Sequence, residues 1–173
     1  MLIAMAGLPG TGKSTMAGLI GSQLRAAVVS VDPIEAAILE AGIAQDQPTG
    51  LAAYLVAETI AESVLGAGQS IVVDAVNAVA PAREQWVDLA RKHGTELRFV
   101  EVTCSDSELH RTRLLARNRN LPHAGEPNWH AVEQSLDEYD EWTGASAAVK
   151  RITLDTSAPV QANAEAALAF LTD

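Results

Sequence analysis

The chain has little cysteine, little positive charge and no long apolar run, and each shortage argues against a class of protein. Cys104 is the one cysteine in 173 residues. A single thiol closes no intramolecular disulfide, and without a second cysteine it is a poor metal ligand, so it reads as a core residue at a strand end. Twelve Lys and Arg stand against 22 Asp and Glu, a formal net charge of −10. That excess repels a phosphate backbone at long range and argues against non-specific nucleic-acid binding. No segment reaches the ~18 uninterrupted apolar residues of a membrane-spanning helix. The start, "MLIAMAGLPG", lacks the basic stretch of a secretory signal, so the expectation is a soluble, cytoplasmic protein with no anchor. The four histidines show neither metal-ligand nor catalytic-triad spacing, and there is no internal repeat or low-complexity linker.

What is present is apolar mass in an alternating order. At 48% hydrophobic, the chain is long enough for one sizeable core and too short for two ordinary domains, so one domain over 1–173 is expected. Apolar, β-rich runs recur at 2–6, 27–31, 70–73, 97–103 and 149–154, separated by helical patterns too long for hairpins. Such alternation predicts an α/β fold, a parallel sheet with helices on both faces joined by right-handed crossovers.

Between the first strand and the first helix stands "AGLPGTGKST", residues 6–15. Gly7, then Gly12, Lys13 and Ser14, satisfy the G-x-x-x-x-G-K-[ST] spacing, with Gly10 and Thr11 inside the loop. Glycines let successive backbone N–H groups turn inward around a di- or triphosphate. Lys13 then lies against the β- and γ-phosphates, the Ser14 hydroxyl completes the coordination of Mg²⁺, and Thr15 reaches the α-phosphate. The strand–loop–helix setting separates this from an ordinary glycine-rich turn, because the helix N-terminus aims unpaired N–H groups at the anion.

The residues beyond the loop disfavour several kinds of phosphate-loop protein. No N-K-x-D stands ready for guanine, and "IVVDAVN" lacks the glycine three residues after its aspartate that a GTPase switch uses. Asp74 ends that run, where a carboxylate either orients Mg²⁺ through water or faces an acceptor; a local alternative is a turn cap through Asn77. Asp32 ends "VVSVD" and is followed by Pro33, which also reads as a helix N-cap. A carboxylate at the C-terminal end of a parallel strand beside the loop sits in the crevice where an acceptor must lie.

At "VVSVDPIEAAI" the chain resembles the small P-loop kinases related to chloramphenicol phosphotransferase, polynucleotide 5′-kinase and zeta toxin. The resemblance implies a three-layer P-loop NTPase fold with five parallel strands in the order 2-3-1-4-5. It also implies that Asp32 accepts the proton of the attacking hydroxyl; the spacing is one residue shorter than in chloramphenicol phosphotransferase, so Glu35 is not carried over. An arginine-bearing lid follows the fourth strand in these kinases, and Arg113, Arg117 and Arg119 match it, within about 111–128. The turn "LDTSAP" falls near the usual adenine pocket.

Four of the twelve cations stand between 111 and 119, in "RTRLLARNRN", against the global sign of charge. A helix over 107–118 with Leu109, Thr112 and Ala116 packed puts Arg113 and Arg117 on one neighbouring face, able to reach one phosphoryl group. Beyond the turn-rich 118–128, a helix capped by Asn128 carries the stripe Trp129, Val132, Leu136 and Tyr139, which reads as core, while Glu133, Asp137, Glu138, Asp140 and Glu141 read as a solvated face. Together these features predict a kinase using ATP and Mg²⁺, with Lys13, Asp32, Arg113 and Arg117 catalytic. Its small-molecule hydroxyl acceptor is held by Asp32, Tyr54, Asp74 and Asn77. A nucleotide or polynucleotide 5′-end kinase and an ATP-driven switch remain the alternatives, and a switch needs no base at Asp32.

Overall fold

The computed structural model describes residues 1–116 and 139–173. Five parallel strands, β1 (Leu2–Ala6), β2 (Ala27–Ser30), β3 (Ile71–Asp74), β4 (Leu97–Thr103) and β5 (Arg151–Asp155), form one sheet in the order β2-β3-β1-β4-β5. The helices are α1 (Lys13–Leu24), α2 (Val31–Glu40), α3 (Thr49–Gly66), α4 (Ala80–Lys92), α5 (Ser107–Ala116) and α6 (Val160–Thr172), with a short 3-10 turn at Ser146–Ala148. The predicted parallel sheet and its strand order are those observed.

All five residues of β1 are buried, because a central parallel strand is covered on both faces. Alternation divides them. Leu2 and Ala4 face a core with Ala53, Ala57 and Ala61 of α3 and Trp86 and Leu89 of α4. Ile3 and Met5 face the opposite core, with Met16 and Ile20 of α1 and Ala167 and Leu171 of α6. The i, i+4 alanines of α3 make a stripe of small side chains, which lets this helix lie close to the sheet.

Two boundaries differ from the sequence reading in ways that matter. The second strand ends at Ser30, and α2 starts at Val31, so Asp32 lies in the first helical turn and Ser30 holds the cap position. Asp32 is therefore not the N-cap. In α5 the buried residues are His110 and Leu114, while Thr112 and Ala116 are exposed and Leu109 is half-buried. The packed face is rotated from the expected one because Leu114 joins Leu8 under the loop and His110 reaches the Pro9 carbonyl at 2.7 Å.

Candidate active site

All five strands run the same way, so their C-terminal ends share one edge, where β1 has β3 on one side and β4 on the other. Crevices of open α/β sheets open at such a switch point. The loop 7–12 leaves β1 there.

Gly7 has φ +131, and a Cβ on it would stand 2.1 Å from the Val102 carbonyl oxygen, so only glycine fits against β4. Its N–H donates to the Val76 carbonyl at 3.0 Å, which joins the loop to the turn that follows Asp74. Gly12, with φ +98, sits at the N-terminus of α1. Lys13 is buried, 6% exposed, and its ammonium donates to the Leu8 carbonyl at 2.9 Å; the Thr11 hydroxyl reaches the same oxygen at 2.9 Å. Because a carbonyl can only accept, the contact between His110 Nε2 and the Pro9 oxygen fixes the proton on that nitrogen.

A cavity of about 450 Å³ opens over this loop, lined by Gly12, Lys13, Ser14, Thr15, Arg113 and Thr156 among others. The positive-φ glycines, the buried ammonium and the start of α1 are the donor set that a polyphosphate requires, so these residues fit the phosphates of ATP. The exposed Ser14 hydroxyl in the first turn of α1 suits Mg²⁺, which keeps most of its waters and takes few protein ligands. Among the described residues no three His, Cys, Asp or Glu side chains converge as a metal cage.

Arg113 enters the same cavity, gripped by Thr156: one guanidinium nitrogen donates to Oγ1 at 2.9 Å and another to the backbone oxygen at 3.1 Å. The Thr156 hydroxyl in turn donates to the Thr11 carbonyl at 2.7 Å, so Arg113 braces the loop. Replacing Arg113 by Ala is therefore expected to weaken ATP binding about tenfold, from the loss of charged hydrogen bonds. Arg111, exposed on the same helix, is the control. Calorimetry checks both, and equal affinities in the two variants would remove Arg113 from the site. Arg117 and Arg119, with the stretch from Asn128 to Glu138, lie outside the described residues.

On the other side of β1, Asp74 is 7% exposed at the end of β3 and accepts from the Ser30 hydroxyl at 3.0 Å, its neighbour in register on β2. Tyr54 of α3 brings its phenol oxygen 3.1 Å from the Asn77 backbone N–H, which donates to it. Burial raises the pKa of this phenol, and the negative charges of Asp74 and Glu35 raise it further. Glu35 accepts from the Thr49 hydroxyl at 2.8 Å, while Asp32 is half-buried one turn earlier on α2.

Asn77 is a different matter. It is fully buried at φ +48; its Nδ2 donates to the Met5 carbonyl at 2.6 Å and its Oδ1 accepts from Trp86 Nε1 at 2.9 Å. These bonds turn its amide inward, away from an acceptor, so it shapes the turn instead of contacting substrate. Arg83 extends the same framework: fully buried, it donates to the carbonyls of Asn77, Ala78, Asp140 and Glu141. Tyr139 and Trp142 donate to Glu101 at 2.9 and 3.1 Å, which latches the returning chain onto β4. Asp140, read from sequence as solvated, accepts from the Ala80 N–H at 2.8 Å.

Sequence reasoning missed Ser30, Thr49, His110 and Thr156. Ser30 stood two residues before Asp32 and Thr156 stood in the quoted "LDTSAP" turn, but their partners are 44 residues away for Ser30 and 145 for Thr156.

The sheet order, the glycine loop and the buried lysine define a nucleotide-binding protein of the P-loop kinase type. The chain belongs to the AAA domain family, which matches residues 2–142. In fold it is similar to a candidate kinase from Chloroflexus aurantiacus, with 21% identity, a TM-score of 0.80, and 99% of this chain and 96% of that chain covered. It is also similar to a gluconokinase from Sinorhizobium meliloti, with 19% identity, a TM-score of 0.71, and 98% and 90% covered. A third is Chaetomium thermophilum Kti12 in complex with ADP-AlF3, with 17% identity, a TM-score of 0.70, and 95% and 94% covered. A search of curated proteins finds no match to this chain. Among the described residues, no helix is long and apolar enough to cross a membrane.

Proposed function

We propose that this protein is an ATP-dependent kinase of the cytoplasm that transfers the γ-phosphoryl group to a hydroxyl of a small molecule. The observation that carries the reading is the bond from the Gly7 N–H to the Val76 carbonyl. It sets the phosphate loop directly beside the turn after Asp74, so that a crevice of carboxylates and hydroxyls adjoins the place of the γ-phosphate. A switch protein has no need of that adjacency.

In this reading Lys13 and the loop N–H groups hold the β- and γ-phosphates, and Mg²⁺ bound near Ser14 supplies charge neutralisation. Asp32 orients the acceptor hydroxyl and takes its proton as the new O–P bond forms and the bond to the β,γ-bridging oxygen breaks, releasing ADP. Asp74, steadied by Ser30, orients the metal-bound water or the acceptor. Arg117 and Arg119 serve as lid residues that close over the transferring group. Incubation with ATP, Mg²⁺ and a bacterial metabolite extract, with detection by mass spectrometry, is expected to show one compound gaining a phosphoryl group. Nucleotide binding with no such product would favour a switch.

A further inference from the structure

The charges of the site are sorted by side, and the sorting bears on the acceptor. Between Arg25 and Arg83 the chain contains no Lys, Arg or His, and it contains seven carboxylates. That stretch supplies β2, α2, α3, β3 and the turn to Asn77, which is the whole side of the crevice facing away from β4. The cations of the cavity, Lys13 and Arg113, belong to the phosphate loop and to the β4 side.

Arg83 ends the cation-free stretch and is no exception to it. The guanidinium is fully buried and directed onto four backbone carbonyls, with Trp142 stacked 4.2 Å away. What the acceptor side presents is hydroxyls and carboxylates: Ser30, Asp32, Glu35, Thr49, Tyr54 and Asp74. The Tyr54 phenol registers the sign of the local field, since Asp74 and Glu35 both hold its proton on.

We propose that the acceptor is an alcohol carrying no phosphate, sulfate or carboxylate group, either neutral or bearing an amine. The inference rests on the kinase reading above and narrows it. A nucleotide, a nucleic-acid 5′ end or a sugar acid would bring its anion against these carboxylates with no guanidinium or ammonium to receive it, and sites for such groups are built with Arg or Lys. Hydroxyls of a neutral or amine-bearing molecule instead find acceptors at Asp74 and Glu35 and both donors and acceptors at Ser30, Thr49 and Tyr54. An amine would gain further from the same field. Transfer itself is unaltered: the acceptor hydroxyl loses its proton to Asp32 and gains the γ-phosphoryl group as ADP departs.

The test uses the full chain with Mg²⁺ and ATP radiolabelled in the γ position. A bacterial metabolite extract is split at neutral pH into material held by an anion exchanger, material held by a cation exchanger, and material held by neither. Label is expected in products from the second or third fraction at about tenfold or more over the first, since like charges at close range cost several kcal/mol. The second fraction identifies an amine-bearing acceptor and the third a neutral one. Preferential labelling of the anionic fraction overturns the inference and leaves the kinase reading standing. Labelling of no fraction, with ATP binding intact by calorimetry, removes the kinase reading and the inference with it.

Discussion

Lys13→Ala is expected to lower phosphoryl transfer by about 10³-fold, or roughly 4 kcal/mol of transition-state stabilisation. The ammonium is the one side-chain cation of the phosphate loop itself. It is held under the loop by the Leu8 carbonyl at 2.9 Å and needs little reorganisation to meet charge developing on the β,γ-bridging oxygen. A preorganised donor in a water-poor site is worth far more at the transition state than in solution. Removing it also leaves the Leu8 carbonyl one donor short, although the Thr11 hydroxyl still reaches that oxygen. A structural cost of about 1–3 kcal/mol is therefore expected alongside the catalytic loss. Thermal melts separate the two effects: a variant that stays folded at the assay temperature and transfers phosphoryl at the parent rate would discard the P-loop reading.

For Asp32→Asn the expected result is a fall in transfer of about 10² to 10⁴, the usual contribution of a general base, with ATP affinity close to that of the parent. The substitution preserves shape and hydrogen-bonding capacity but removes the ability to take a proton. Asp32 lies in the first turn of α2, with Ser30 at the cap position, so the fold gives up the favourable interaction of a carboxylate with the helix N-terminus, about 0.3–1 kcal/mol. Calorimetry with ATP and a transfer assay distinguish the outcomes. Full transfer would rule out a base at this position. Lost nucleotide binding would assign Asp32 to the metal or to structure.

Much of the frame was legible in one dimension because it rests on local physics. Strands β1 and β4 fall at the positions their apolar runs mark, 2–6 and 97–103, since a buried parallel strand needs apolar residues on both faces. The loop at Gly7–Ser14 was legible because a phosphate cradle needs glycine and lysine at fixed spacing in a strand–loop–helix setting. The same kind of reasoning placed Asp74 at the end of β3 and Asp32 beside the end of β2, though it put the start of α2 too late. A proline at the third residue of a helix is compatible with the first turn, whose N–H groups have no intrahelical partners, so Pro33 did not have to mark the first position.

What only the tertiary structure decided is which polar groups meet. Nothing in the spacing of Arg113 names Thr156 as its partner, because the pair is 43 residues apart and is brought together by the pairing of β4 with β5. Asn77 carries side-chain chemistry suited to an acceptor site, but its place at φ +48 between Met5 and Trp86 turns that chemistry inward. The face of α5 was misjudged for the same reason. Periodicity states which residues share a face, whereas burial of that face depends on what lies beneath it, here Leu8 and the Pro9 carbonyl. By itself, then, the sequence determined the strands, the phosphate loop and the cation-free stretch, all properties of neighbouring residues. Tertiary structure decided the pairing of Ser30 with Asp74, the bracing of the loop by Arg113 and Thr156, and the inward turn of Asn77. Each of these requires groups distant in the chain to satisfy one another's hydrogen bonds once water has been excluded.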